Sequence, residues 1–449
     1  MASPLDTDDE NILESLRQKA EPQVLEEREK AVNDRIRAIY GKAQDRLGEL
    51  PIGVYLDRPK SDDPLSSPND IDVFLTVKEK SRLLFKTGTD LGNTEGSAFV
   101  NALYRNIFGG AETLNFNASL GTRTRSAYQA AFESPILSNP DYRFEFGGIA
   151  SSTQKAWSSH EEVLKGGWSK LRWSAAEGQR HELAYNMFWR QVTGLAESAS
   201  PSVRADAGDS VKSSLSHTWV NDQRDHPHLP SRGYYTKAFN ELAGLGPLNG
   251  DVAFWKSEVE AQGAVPVPLP WKKGPSGVSF TTGFRAGLLY SFGLDGDLRP
   301  KASRINDRFQ LGGPTDVRGF KLCGIGPRDG QDALGGDAYA AGSANLFFPL
   351  PRVGIDQPVR LQAFINAGRL VSLQPSGSDA SYPTPTFQDS ISSTIKELGN
   401  GLPTTSAGVG LVYAHPLARF ELNVSMPLVV RKGEEGRKGL QFGVGINFL

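Results

Sequence analysis

From about residue 81 onward the chain is organised by a two-residue alternation. It is clearest in ETLNFNASLG, where Leu114, Phe116, Ala118 and Leu120 face one way and Thr113, Asn115, Asn117 and Ser119 the other, because successive strand side chains point to opposite faces. Similar segments recur at 82–90, 97–105, 125–133, 142–151, 181–192, 211–220, 234–243, 252–261, 278–290, 338–348, 359–367, 405–413, 418–425 and 439–448. Turn chemistry lies between them, in FGGAE, SNPDY, GPLNGD and PLARF. One face is apolar, and the other is mostly Asn, Ser, Thr and Gly. A soluble sandwich would alternate Val and Ile with charge, so the polar face reads as a wetted lumen. The pattern predicts an all-β, antiparallel transmembrane β-barrel.

Position 80 leaves 369 of the 449 residues. Sixteen strands would take about 23 residues each, enough for a tilted spanning strand of about ten plus its share of turn. The segment QFGVGINFL places Phe442, Val444, Ile446 and Phe448 at every second position, which predicts a strand over 441–449. A strand edge is a hazard unless paired, and pairing this strand with the first one closes a barrel.

Before residue 80 the pattern changes period. Leu13, Leu16, Val24, Leu25, Val32, Ile36, Ile39 and Leu47 recur at three- and four-residue spacing, the signature of amphipathic helices. Pro22 divides them, since proline suits the first turn of a second helix. Two short strand candidates follow, Gly53 to Asp57 and Ile71 to Glu79, joined by a Ser/Pro/Asp-rich turn. Two helices and a hairpin make a small α+β module over 1–80, with the barrel over 81–449. A solubilising helical arm would carry the same helical pattern.

Composition narrows the choice. Hydrophobic residues make up 38%, and no run of 18 apolar residues occurs, so no helical span is expected. The 48 glycines and 9% aromatics suit a strand-rich chain with tight turns. A net charge of −2 gives no basic field for nucleic acid. The single cysteine, Cys323, excludes an intrachain disulfide and a cysteine cage for metal. MASPLDTDDENILESLRQ is acidic and lacks the apolar core of a secretory signal, so the general secretory route is not expected. The six histidines are scattered and no Gly-x-Ser-x-Gly elbow occurs; neither catalysis nor a cofactor nor a metal is expected.

Three motifs stand out. In RFQLGGPTDVRGFKLCGIGPR (308–328), Gly312 and Gly313 allow a tight turn, Pro314 fixes the next residue, and Arg318 is followed by Gly319 and Phe320. Such a guanidinium can fold back and donate to several acceptors; an ordinary exposed hairpin would look the same. No Gly-Lys-Ser/Thr follows, so a phosphate loop is not expected. In NDQRDHPHLPSRGYY (221–235), Asp222, Arg224 and Asp225 make a charge-paired turn before Pro230 and Gly233. His226 and His228 lack a third ligand nearby, and a solvated turn is the better reading. The third motif is 441–449 itself.

Together these segments resemble the barrel subunit of the mitochondrial sorting and assembly machinery (the SAM complex), within the superfamily of BamA-like outer-membrane barrel-assembly factors. Val317, Arg318, Gly319 and Phe320 match that superfamily's lumen-loop signature, and Leu334–Gly342 and Ala363–Leu370 look like the strands that receive it. Other branches place acids there. The corresponding positions here are Asn345 and Asn366, so the resemblance implies amide or carbonyl acceptors rather than an ion pair. The 222–233 turn is similar to a second family motif. Gln441, Gly443, Ile446 and Phe448 fit the β-signal by which such barrels are themselves assembled. Residues 51–80 resemble the closing hairpin of a polypeptide-transport-associated (POTRA) domain, whose opening strand is not evident before Asn11.

The resemblance implies a non-enzymatic insertase of the mitochondrial outer membrane, with its N-terminus in the intermembrane space. Implied partners are peripheral SAM-complex subunits, membrane lipid, and precursors such as the import pore and the porin. A lateral gate is expected between the first and last strands, at Arg82, Leu84, Lys86, Gly88, Gly443 and Gly445, where glycines weaken a seam. A diffusion pore or protein-translocating channel of the same shape is the alternative, and a soluble β-rich binding protein a third.

Overall fold

The computed structural model describes residues 53–57, 72–76, 81–92, 95–268, 270, 276–294, 299–351, 357–373, 387–416, 418–445 and 448–449. The chain divides into two compact units, Met1–Ser81 and Arg82–Leu449. In the first, β1 (Gly53–Asp57) and β2 (Asp72–Thr76) pair antiparallel from Gly53 opposite Thr76 to Asp57 opposite Asp72. The helices expected over 11–50 lie outside the described residues.

The second unit is one antiparallel sheet of sixteen strands. Its first half comprises β3 (Leu83–Gly92), β4 (Glu95–Arg105), β5 (Thr113–Gly121), β6 (Thr124–Ile136), β7 (Asn139–Lys155), β8 (His160–Ala176), β9 (Gln179–Thr193) and β10 (Gly208–Asp222). The second half comprises β11 (Gly233–Ala243), β12 (Phe254–Pro266), β13 (Ser279–Ser291), β16 (Ala338–Pro349), β17 (Val359–Val371), β18 (Thr404–Ala414), β19 (Arg419–Val429) and β20 (Gly439–Gly445). The short pair β14 (Arg328–Asp329) and β15 (Asp332–Ala333) lies in the long connection between β13 and β16. Each barrel strand hydrogen-bonds its neighbour in sequence, so every interior strand satisfies both edges, the condition for crossing lipid with strands.

The alternation works as the pattern requires. Leu114, Phe116 and Leu120 of β5 point outward and are exposed, as are Leu183, Tyr185 and Met187 of β9 and Leu422, Val424 and Met426 of β19. In water such a surface would invite aggregation; in a bilayer it matches its solvent. Inward, Asn101 donates to Asn115 at 3.0 Å and also to Asn117. Charges in the lumen are paired, as in Lys212–Glu241 at 2.8 Å and Arg285–Glu260 at 3.1 Å. Among the described residues no helix is long and apolar enough to span a membrane. The two helices found in this unit, α1 (Pro201–Ala205) and α2 (Phe387–Gly399), sit in connections.

Two differences from the sequence pattern have physical causes. Strand β8 gives no alternation because both its faces carry charge. Lys165 points outward, while Lys170 and Arg172 point inward to Glu182 at 3.5 and 2.8 Å, and Gly166 and Gly167 interrupt the run. The last strand ends at Gly445, not at residue 449. Phe448 and Leu449 are buried in the lumen, because Arg318, Arg419 and Gln262 offer there what an outward-facing strand end would lack.

Candidate functional site

The connection between β13 and β16 enters the barrel and fills part of its interior. Its apolar residues Phe309, Leu311, Val317, Phe320 and Ile325 form one core with Phe254 of β12, Leu289 of β13 and Leu370 of β17. Buried polar groups pin its two ends. Arg190 of β9 makes a two-pronged ion pair with Asp307, and Asp332 accepts from Ser159 Oγ at 2.6 Å and from the Ser200 backbone at 2.7 Å. A packed segment thus occupies part of the lumen.

At the tip of this segment Arg318 is fully buried. Its Nε and Nη2 donate to Glu421 Oε2 and Oε1 at 2.8 and 3.0 Å, the fork geometry that favours arginine over lysine. Nη1 donates to Asn366 Oδ1 at 3.3 Å and to the Leu449 carbonyl at 3.4 Å, and the guanidinium lies 4.9 Å from the Phe364 ring centre. Glu421 is also bound by Arg419 and by Asn423 Nδ2, the latter at 2.7 Å. One buried carboxylate therefore serves two guanidiniums.

The backbone beside Arg318 is held just as closely. Ser406 Oγ of β18 donates to the Arg318 carbonyl. The Gly319 N–H donates to Gln441 Oε1 at 2.8 Å, and Gln441 Nε2 donates to the Phe320 carbonyl at 3.1 Å. Gly319 has a φ of +83°, and a β-carbon there would stand 2.9 Å from that of Ser406, so both handedness and space require glycine. Side chains from β17, β18, β19 and β20 converge on four residues of loop. A sixteen-stranded barrel with an arginine-tipped loop tied to its last strands is a narrow specification.

The Omp85 superfamily domain matches residues 106–448. A SAM50-like protein of Schizosaccharomyces pombe is 44% identical over 397 residues, covering 88% of this chain and 78% of that one. The human sorting and assembly machinery component 50 homolog is 35% identical over 413 residues, covering 90% and 81%. The chain belongs to the Omp85 superfamily, in its Sam50 branch. Among solved structures, BamA from Haemophilus ducreyi lacking POTRA domains 1–3 has a TM-score of 0.69 at 17% identity, covering 91% of this chain and 78% of that one; that likeness is one of fold. This Sam50-family chain is a β-barrel of the mitochondrial outer membrane.

The other motif residues gather around the same centre. Arg224 Nε and Nη2 donate to Asp222 at 2.9 and 2.8 Å, and its Nη1 donates to Gln262 Oε1 at 2.9 Å. Gln262 Nε2 in turn donates to the Phe448 carbonyl at 3.0 Å. The Phe448 ring lies under Arg419 and Arg318, at 4.8 and 5.7 Å, while the Leu449 N–H donates to the Thr315 carbonyl at 3.3 Å. Residues 448–449 thus bridge the 222–232 turn to the lumen loop. Asp225 accepts from Ser231, Arg232 and His226, and His226 Nδ1 accepts from the His228 and Leu229 backbones. The His226 ring serves the turn and the His228 ring packs edge-on against it, 5.9 Å between centres; no metal-ligating cluster occurs among the described residues.

Of the two Sam50-family acceptor candidates, Asn366 meets Arg318 and Asn345 does not. Asn345 Nδ2 donates weakly to Thr281 and Ser343, at 3.4 Å each. Amide and main-chain oxygens do accept from Arg318, at Asn366 and Leu449, but they do not replace an ion pair: Glu421, two strands beyond β17, supplies one. Its signal was present in the sequence: Arg419, Glu421, Asn423 and Ser425 alternate along one face of β19, and an acid on a lumen face asks for a partner. Arg82 precedes β3, while Leu84, Lys86 and Gly88 share its inward side, where the Phe99 ring fills the space over Gly88. Gly443 faces the Pro314 carbonyl, 3.2 Å from where its β-carbon would be, Gly445 closes β20, and Ile446 lies outside the described residues.

Proposed function

We propose that this barrel inserts and folds β-barrel precursors in the mitochondrial outer membrane through a lateral gate between β3 and β20. Assembly of outer-membrane β-barrels is the work of its family. The observation that carries the finer reading is the sheet order. Strands β3 and β20 stand at its two ends, and among the described residues no ladder joins them.

An unpaired backbone group in lipid costs several kcal/mol, so a precursor strand needs a partner as it enters. Strand ends of this kind are templates for adding a strand. Gly88, Gly443 and Gly445 put no side chain of their own on the lumenal side of the two end strands, and the loop around Arg318 holds β20 from within while its outer edge is in use. A packed loop inside the lumen counts against a simple diffusion pore. The reading needs neither nucleotide nor a catalytic side chain. It puts the N-terminal module in the intermembrane space and takes peripheral SAM-complex subunits as partners, with the import pore and the porin among its substrates.

The test is a cysteine scan over 81–90 with a precursor arrested during import. Native Cys323 is buried in the lumen loop, where burial pushes its thiol up to about 12, so it will not compete. Disulfides between these positions and the precursor's last strand are expected on alternate or successive residues of β3. Uniform absence of such crosslinks, with the precursor bound to the complex, defeats the gate.

A further inference from the structure

The one barrel strand without alternation also shapes the outer wall. On β8, Lys165 and Gly167 face outward, opposite Trp189 and Met187 of β9. Gly167 lies against Gly148 on its other side, so two neighbouring outward positions have no side chain. Backbone is close on that face: a β-carbon at Gly167 would stand 2.9 Å from the Gly147 carbonyl oxygen, and one at Gly148 3.3 Å from that of Gly166. The outward surface is left with a dent there. Phe146, Tyr185, Met187, Trp189 and Val211 wall a notch of about 520 Å³, within the roughly 300–1,000 Å³ typical of small-molecule sites.

The notch sits at a boundary. Outward residues along β9 run His181, Leu183, Tyr185, Met187, Trp189, Gln191, so the apolar stretch ends at Trp189, where barrel girdles meet the headgroups. There the Lys165 ammonium lies 5.2 Å from the Trp189 ring centre, and among the described residues it has no carboxylate partner. The outward acids nearest in the ladder are Glu161, held by Arg125 at 3.0 Å, and Asp209, which sits across from Gln191. An exposed, unneutralised cation over an apolar cleft fits one amphiphile: a chain below and an anion above.

We propose that this notch binds an anionic glycerophospholipid, with an acyl chain between Phe146 and Met187 and its phosphate on Lys165. The site rests on the membrane location of the barrel and is independent of the gate. Its strands lie in the middle of the sheet order rather than at either end, so the lipid holds the wall that does not open.

The test uses the full chain, delipidated in detergent and offered phosphatidylglycerol or phosphatidylcholine, with retention read by native mass spectrometry. Phosphatidylglycerol should be retained roughly fivefold better, as one lysine at the headgroup level predicts. Lys165→Gln should bring the two lipids level with the heat-induced gel shift of the barrel unchanged. Met187→Trp, which fills the notch, should lower retention of both. Equal retention of the two lipids by the unmodified chain, or a preference that survives Lys165→Gln, overturns the proposal.

Discussion

Arg318 and Glu421, 103 residues apart, face each other through two parallel hydrogen bonds of 2.8 and 3.0 Å, with neither side chain exposed. Removing one partner of a buried pair costs about 3–5 kcal/mol, because the other charge stays buried alone. Glu421→Gln removes the side-chain carboxylate that Arg318 and Arg419 share. The barrel should keep its strands and lose its grip on the loop, seen as a lower midpoint in the heat-induced gel shift. Arg318→Lys should fall in the same direction, since an ammonium cannot fork. A midpoint equal to the parent's for both variants would show the pair to be dispensable.

Gly319 is the test of the loop's backbone. Gly319→Ala places a β-carbon against Ser406 and asks a φ of +83° of an L-residue, a left-handed conformation that costs roughly 1–2 kcal/mol. Labelling of Cys323 by a maleimide should accelerate as the loop loosens. Adding Ser406→Gly removes the clashing β-carbon but also the hydroxyl that donates to the Arg318 carbonyl, so labelling should stay faster than in the parent.

The 222–232 turn should have a pH limit. Burial works to raise the Asp225 carboxyl, but hydrogen bonds from Ser231, Arg232 and His226 outweigh it and hold it below its usual value. A depressed carboxylate stabilises the fold above its unfolded pKa of about 4, and that contribution disappears as pH falls through the folded value. Amide exchange at His226, Ser231 and Arg232, corrected for its intrinsic rate, should be flat from neutrality to about pH 4 and rise below it. In Asp225→Asn it should be faster at neutral pH and lose the step.

Residues 448–449 offer a lock. A disulfide between Thr315→Cys and Leu449→Cys, whose backbones meet at 3.3 Å, would fix residues 448–449 inside the barrel. If β20 must straighten to present its edge, the oxidised variant should stall precursor insertion and reduction should restore it. Equal insertion in both states would place the working edge elsewhere.

The parts of this fold that were legible in the sequence are those where one face meets lipid and the other water. Strand β5 is the plain case: Leu114, Phe116 and Leu120 outward, Asn115 and Asn117 inward. Strand β8 was illegible because Lys165 snorkels outward while Lys170 and Arg172 serve the lumen, so no period survives. The site was half legible. Arg318 and Gln441 announced themselves by motif, whereas Glu421 depended on a register that places β19 behind β17. The inward path of Phe448 could not be read from spacing at all, since its alternation with Phe442 and Val444 is intact in the sequence.

Gln441 gives strand β20 two attachments of different kinds. Its backbone belongs to the ladder with β19, opposite Asn423, while its amide is fastened to Gly319 and Phe320 in the interior. Neither attachment uses the side of the strand that faces β3. The change of neighbour that the proposed gate requires on that side would therefore leave the strand anchored twice over, and need not begin with unfolding.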